Sequence, residues 1–456
     1  MMKYCTKYIG LLFLLFLFFV ILQLKCFAIE TTLRVGLFLN QKEINITSDN
    51  GLSVYDIDSQ REIANFTKNA KLKITTSNSG FTLNGKLLNS INTIRILPSE
   101  RGFIQVEGNE YRGEIEIINQ QNCLNVINII NIEEYLYGVL KKEISPDWPE
   151  EALKAQAIAA RTFALFNMNK YIDQGYNICA TTNSQAYGGL NAEHPSTNKA
   201  VNDTRGIIAV YQDEPINAVY HSDSGGHTEN SEDVWGGIVP YLRGKKSEYE
   251  DIVSPPNHEW DYTLKEEEIL VKLQQNGYKI NNIREIAINT RTEEGRVISV
   301  DIYDNENQKI TLKVNDFRLI IGPTLIRSSL FNINTNSINK IPQEDIFIDI
   351  KEEVQNKSKK TVRDILNERQ DFSIAELINL LQTSKEERTI KETVFEEKEE
   401  VNETDICELA FTFAGKGNGH GVGLSQWGAY GMAEKGYNYE EILKYYYHDI
   451  QLLKKY

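Results

Sequence analysis

The chain has 456 residues and a formal net charge of −15 at pH 7, from 49 Lys and Arg against 64 Asp and Glu. With 41% hydrophobic and 25% charged residues it has the composition of an ordinary folded protein, which rules out wholesale disorder. The acidic balance argues against a nucleic-acid-binding face and against a polybasic membrane-surface module, and five cysteines in this length rule out a disulfide scaffold.

At the N-terminus Lys3 and Lys7 precede an apolar run from Ile9 to Leu24, broken only by Gly10 and Gln23 and followed by Cys26-Phe27-Ala28. This is the pattern of a secretory signal peptide. The run falls just short of the ~20 residues that span a bilayer, so residues 1–28 are expected as a signal peptide or a membrane anchor. Either places the bulk of the chain outside the cytoplasm. Cys123, Cys179 and Cys407 remain after cleavage, well separated and without a CxxC metal or redox motif.

From Thr31 to about Asn131 short alternating runs such as Leu33–Leu37, Lys73–Thr76, Thr93–Leu97 and Gly113–Ile117 are separated by Asn, Gly and Ser, which predicts strands. Helical signal begins at Ile132 and is strong from Pro149 to about Tyr171. Strands resume from Gly206 to about Tyr220, and again at Arg296–Tyr303 and Lys309–Val314. The fold class expected is mixed α+β: a β-rich N-terminal part, an Ala-rich central helix and a glycine-rich C-terminal unit, not a lysozyme-like fold. Residues 333–408 are Lys- and Glu-rich and read as a solvated insertion with one short helix capped by Ser373 and Glu376. Because residues 409–456 become apolar and glycine-rich again, the insertion interrupts a domain that begins at about residue 29.

Asp147 with Glu150 reads as a capping box, with Pro149 in the first turn of the Ala-rich helix. Glu143 is then placed just upstream of a helix start, where the dipole favours its ionised form, while an apolar wall such as Trp148 would act the other way. Lys154 and Arg161 stand seven residues apart, about 10 Å along one helix face. Two such cations fit either a cleft or a helix edge open to water.

His221-Ser222-Asp223-Ser224-Gly225-Gly226-His227 reads as a loop that lets backbone approach a ligand. The spacing of His221 and His227 fits no helical zinc motif, and no GxSxG elbow is present. In Gly415–Gly423 glycine alternates with other residues without matching GxGxxG or a P-loop, and is expected to form an extended strand with one bare face. A helix from about Ser425 to Glu434, with Gly428 and Gly431 allowing tight packing, and a last helix capped by Asn438 and Glu441 complete the pattern.

Three segments together resemble the stage II sporulation protein D family (the SpoIID/LytB domain): Glu133–Val139 through Glu143 with Pro149–Ala157 and Ala160-Arg161-Thr162; Tyr220–Thr228; and Gly415–Gly431 with its Gly419-His420-Gly421-Val422-Gly423-Leu424-Ser425-Gln426-Trp427 core. The resemblance covers about Thr31 to Phe331 plus Leu409 to Tyr456. It implies a peptidoglycan lytic transglycosylase that cleaves MurNAc–GlcNAc bonds of denuded glycan strands and leaves 1,6-anhydro-MurNAc ends. It also implies Glu143 as the single catalytic acid/base and Lys154, Arg161, His221, Ser224, Tyr241, Arg243, His420 and Gln426 as substrate-binding residues. A carboxylic acid of raised pKa protonates the leaving oxygen, and the sugar's own 6-hydroxyl replaces the second carboxylate. A cationic wall at Lys154 and Arg161 would suit the lactyl carboxylate of MurNAc. Some relatives bind zinc just before a Gln-x-Tyr element; here only Cys179 is a good ligand before Gln185-Ala186-Tyr187, so neither metal nor cofactor is expected. The partners implied are glycan strands, and also an amidase or other wall hydrolases and membrane envelope proteins, with no nucleic acid. Two other readings stand beside this one: a non-catalytic glycan-binding or amidase-enhancing envelope protein, and a metallohydrolase using His221, His227 and His420.

Overall fold

The computed structural model describes residues 31–99, 102–339 and 407–456. The alternating N-terminal runs form two antiparallel-rich sheets. One has the strand order Ile178–Cys179, Thr32–Gln41, Cys123–Asn131, Glu114–Gln120, Thr93–Pro98, Leu52–Asp56, Arg61–Phe66. The other runs Asn109–Tyr111, Ile104–Val106, Glu43–Ser48, Ala70–Ser77, Gly80–Leu83, Lys86–Asn89. Inward residues of both, among them Val35, Ile46, Ile74, Ile96 and Ile117, share one core. Burying each such side chain contributes roughly 1.5–3 kcal/mol.

Helix α1 (Ile132–Glu143) springs directly from strand Cys123–Asn131, and the Asn131 side chain caps it by accepting from Glu133 N. Ile132, Tyr135, Leu136, Val139 and Leu140 fall at helical spacing and seal the first core. Helix α2 (Glu150–Phe166) follows a short loop and serves two cores at once. Ala157, Ala160 and Ala164 face the first; Ala155, Ile158 and Ala159 face another built with α8 (Gln426–Glu434), α9 (Tyr439–Tyr446) and strand Ile207–Tyr211. Between α2 and that strand lies α3 (Pro195–Asp203). Alanine on both sides allows the close approach that one helix between two cores requires. A separate core gathers strands Glu259–Lys265, Glu285–Arg291, Val297–Tyr303 and Lys309–Lys313 with two further helices, the start of strand Phe331–Asn339 and the middle of strand Cys407–Lys416.

The Lys/Glu-rich stretch leaves and re-enters the fold through neighbouring strands. Phe331–Asn339 and Cys407–Lys416 pair antiparallel from Phe331↔Gly415 to Asn339↔Cys407, so this strand pair runs past the expected boundary at 333 on one side and starts before 409 on the other. The chain end returns as well: Gln451–Lys454 pairs with Ile207–Tyr211. The segment 1–28 and the short helix expected behind Ser373 lie outside the described residues.

Three local expectations are corrected. Pro149, not Asp147, is the N-cap of α2, and no side chain caps it. Glu143 is the last residue of α1, not a residue leading into a helix. The glycine-rich segment is not an extended strand: Gly417, Gly419, Gly421 and Gly423 have φ of 77°, 115°, 82° and 72°, left-handed conformations that β-carbons resist. The closing helices form as expected, with Ser425 and Asn438 as N-caps and Glu441 completing a capping box. A β-carbon on Gly428 would strike the Tyr446 hydroxyl, and one on Gly431 the Tyr249 carbonyl.

Candidate functional site

Glu143 is half-buried at the C-terminal end of α1. Its Oε1 accepts from the backbone N–H of Ala186 at 3.1 Å, and the Tyr220 hydroxyl supplies a second hydrogen bond. Burial raises its pKa and outweighs both bonds. The helix dipole acts in the same direction, because the C-terminal end carries partial negative charge.

A chain of hydrogen bonds holds these donors. Tyr135 donates to Gln185 Oε1 at 3.2 Å, and Gln185 Nε2 donates to the Tyr220 hydroxyl at 3.0 Å and to Ala160 O at 3.3 Å. Burial pushes the phenols of Tyr135 and Tyr220 well up, so both remain donors. Two residues after Gln185, Tyr187 donates to Asn128 Oδ1 at 2.8 Å and packs on Tyr135 with ring centroids 5.0 Å apart. The peptide between two anchored side chains thereby presents its N–H to Glu143. Gly138 on α1 makes room: a β-carbon there would lie 2.5 Å from the Tyr187 ring.

The cations expected in a cleft have other employment. Arg161 is fully buried. Its guanidinium forms a bidentate pair with Glu133 (2.9 and 2.6 Å) and donates to Val201 O, Thr204 Oγ1 and Ile207 O. It pins α1, α3 and the following strand from inside and presents nothing to a groove. Lys154 folds back on its own helix, 2.8 Å from Glu150 and 3.0 Å from Glu151. In this arrangement the two do not form the cationic wall that the resemblance implies. Lys141 and Lys142, in the last turn of α1, are exposed and form no ion pair among the described residues.

The two glycine-rich segments converge on the strand that carries Tyr220. Tyr220–His221 pairs in parallel with Leu424–Ser425. His420 donates through Nε2 to Tyr220 O at 3.0 Å and accepts at Nδ1 from Val422 N at 3.1 Å; His221 donates through Nδ1 to Val422 O at 3.1 Å. The two rings lie 5.3 Å apart. Burial keeps both imidazoles neutral, His420 at about 4 and His221 well below its ordinary value. Three of their four ring nitrogens thus serve the backbone, and His227 Nδ1 lies 2.6 Å from Thr228 O, so the three histidines do not present a metal-binding set.

Ser224 belongs to a buried hub instead. It donates through N and Oγ to Glu250, which also accepts from Gly226 N, Ser247 Oγ and Ser425 Oγ. Asp223, Glu250 and His258 bring potential metal-ligating atoms within 4.8 Å of one another. Five donors already occupy Glu250, and His258 bonds Asp223 at 2.8 Å, so the group acts as a hydrogen-bonded clamp beneath the glycine loops. The Tyr241 hydroxyl accepts from Asn217 N at 2.9 Å, Arg243 pairs with Glu232, and the Gln426 amide approaches Gln156 at 3.5 Å. Cys123 and Cys179 are free thiols. An open hollow of about 700 Å³, lined by Trp260, Arg291, Phe331 and Lys416 among others, shares none of these site residues.

Of the expected residues, then, Glu143 bonds the Tyr220 hydroxyl, and His221 and His420 sit on the strand pair that carries Tyr220, while Lys154, Arg161, Ser224, Tyr241, Arg243 and Gln426 are engaged in structural bonds. The sequence reading passed over Gln185, Tyr220 and Gly138 as site residues. The sequence marks Gln185-Ala186-Tyr187 only as the element that follows a zinc cluster in some relatives.

Residues 120–211 match the SpoIID family model, described as stage II sporulation protein. That span holds Glu143, Arg161 and the Gln185–Tyr187 support, but not the histidine loops. An uncharacterized protein of Brachyspira hyodysenteriae is 29% identical over 434 residues, 94% of this chain and 95% of the relative. The amidase enhancer of Bacillus subtilis is 29% identical over 78% of this chain, which spans less than half (46%) of that relative. Stage II sporulation protein D of the same species is 25% identical over 71% of this chain and 74% of its own length. Together these matches support the SpoIID family.

Proposed function

We propose that the protein is a peptidoglycan lytic transglycosylase acting in cell-wall remodelling of the sporulation type, outside the cytoplasm as a secreted or membrane-anchored protein. The observation that carries this reading is Glu143, a half-buried carboxyl whose pKa is raised by burial and which is aimed by a backbone N–H and a tyrosine hydroxyl. No second carboxylate is among the groups that shift it. A lone acid of this kind suits a reaction in which the protonated Glu143 gives its proton to the glycosidic oxygen. The glycosidic bond breaks, and the oxocarbenium-like centre at C1 of MurNAc is captured by that sugar's own 6-hydroxyl. The hydroxyl proton returns to Glu143, and the 1,6-anhydro ring closes without water. Lys141 and Lys142 are the exposed cations beside the acid, and in this reading they meet the lactyl carboxylate in place of Lys154 and Arg161.

The test is mass spectrometry of the products from purified denuded glycan strands with the wild type and Glu143→Gln. New 1,6-anhydro ends from the wild type alone support the reading; equal release by the variant overturns the role of Glu143. A second reading, favoured by the name of the Bacillus subtilis amidase enhancer, makes the chain a glycan-binding partner that stimulates an amidase. It predicts retention on sacculi and faster amidase turnover without anhydro ends.

A further inference from the structure

Three aromatic rings stand together at the loop that follows Glu143 in the chain and are used by nothing described so far. Trp148 lies in the loop that follows Glu143, and Trp427 and Tyr430 lie one turn apart on α8. Ring centroids are 4.7 Å apart for Trp148 and Trp427, 5.3 Å for Trp148 and Tyr430, and 5.5 Å for Trp427 and Tyr430. Both ends are tied to the elements around the acid. Trp148 rests on a small cluster of Ile144, Leu153 and Ala200. The backbone N–H of Trp427 donates to Ser222 O at 3.0 Å, two residues beyond the Tyr220 that bonds Glu143.

Packing does not account for the trio. All three side chains are only partly buried, and neither Trp427 nor Tyr430 joins any hydrophobic cluster among the described residues. Their polar tips are open too: the indole N–H groups of Trp148 and Trp427 and the Tyr430 hydroxyl have no partner among the described residues, and none is a buried orphan. Trp260 is the contrast, buried in its core with its indole N–H donating to Gly417 O at 2.9 Å. Half-exposed rings with free donors at their edges suit a ligand that offers an apolar face and a polar rim. A pyranose does so through its axial C–H bonds and its hydroxyl and acetamido groups. The ring faces carry negative quadrupole charge, which disfavours a carboxylate lying over them.

We propose that Trp148, Trp427 and Tyr430 form a stacking platform that binds an uncharged N-acetylhexosamine ring of the glycan strand next to Glu143. The substrate class rests on the glycan reading above. The platform adds a subsite and a preference: the neutral sugar lies on the aromatic rings and the lactyl-bearing sugar does not.

The probe is a defined oligomer of N-acetylglucosamine, titrated calorimetrically into the full-length Glu143→Gln protein so that no turnover intervenes. Adding Trp427→Ala should weaken binding about tenfold, equivalent to about 1.4 kcal/mol, and Trp427→Tyr should retain most of the affinity. Trp427 and Tyr430 are the residues to change, because they pack mainly on Trp148; unchanged melting temperatures certify the fold. If neither Trp427→Ala nor Tyr430→Ala weakens binding, or if the parent protein does not bind the oligomer, the platform is wrong. The two readings fail separately. Binding through Trp427 without anhydro ends from the wild type leaves the platform standing and removes the transglycosylase, whereas anhydro ends with undiminished oligomer binding by Trp427→Ala remove the platform alone.

Discussion

Helix α1 carries a glutamate at each end, and the two have opposite environments. Glu133 sits in the first turn, where the dipole favours an anion. It is buried and accepts from both sides of the Arg161 guanidinium, from Gly206 N at 3.1 Å and from the Tyr456 hydroxyl at 2.5 Å. Glu143 closes the last turn, where the dipole opposes an anion, and it has two neutral donors and no cation bonded to it among the described residues. One residue type on one helix therefore serves a buried ion pair at one end and a carboxyl of raised pKa at the other. Surroundings assign the roles: Glu133 holds the fold together, and Glu143 is free to trade a proton.

The largest test of this contrast is a double dissociation. Glu143→Gln should lower the release of anhydro ends by roughly 10²–10⁴-fold, the usual contribution of a positioned acid, and leave unfolding nearly unchanged. Glu133→Ala or Arg161→Ala should do the reverse, costing about 3–5 kcal/mol in denaturant unfolding because each strands a buried charge. If Glu143→Gln destabilised the protein as much as Glu133→Ala, the two ends of α1 would not differ in role. Next in size is Gly138→Ala. Its methyl group would meet the Tyr187 ring, and the overpacking should cost about 1–3 kcal/mol while displacing the Ala186 N–H that aims Glu143. Stability and activity should fall together, which thermal melts and product analysis on one preparation would read; a stable but inactive or an active but unstable variant would separate what the structure couples.

The same contrast explains what the sequence revealed. Strand and helix placement was legible because period 2 and period 3.6 are written in single segments, as at Thr93–Pro98 and in the Asn438–Glu441 cap. Glu143 was legible through motif resemblance. Its supports were not, because Ala186 contributes only a backbone N–H, and Tyr220 comes from 77 positions further along the chain. Arg161 misled for a related reason. A cation at helical spacing from Lys154 looks like half of a groove wall until the fold brings in Glu133, 28 residues upstream, to neutralise it. Alternating glycines likewise suggested an extended strand, since positive φ leaves no mark in composition.

Between these extremes lies a pH test. Glu143 has a raised pKa in the folded state, so between its unfolded and folded values the native protein binds more protons than the unfolded chain, and stability falls as pH rises. The wild type should match Glu143→Gln below the ordinary glutamate range and melt progressively lower than the variant as pH climbs through the folded value. The difference should be smaller than the loss of an ion pair, because Glu143 is only half-buried and water screens it. Parallel melting curves across that range would mean that the carboxylate is solvated after all and that the distinction from Glu133 is weaker than the geometry indicates.

The smallest effect belongs to Lys154→Ala, and it decides between two readings of the same residue. If Lys154 served the glycan, its loss would weaken binding to denuded strands and flatten the salt dependence of that binding. In the structure its ammonium is held by Glu150 and Glu151, and Glu150 is lowered to about 2 by Lys154 and Lys199 together. Pairs this exposed are worth about 0.2–1 kcal/mol. The expected outcome is therefore a slight loss of stability, an upward move of the Glu150 carboxyl in an NMR titration, and unchanged glycan binding. Lys142→Ala supplies the counterpart. It removes an exposed, unpaired cation next to Glu143, so it should weaken binding of the lactyl-bearing strand and steepen no melt. Were the two variants to exchange phenotypes, the cationic wall implied by the family resemblance would be restored and the folded-back Lys154 would have to be a state the substrate releases.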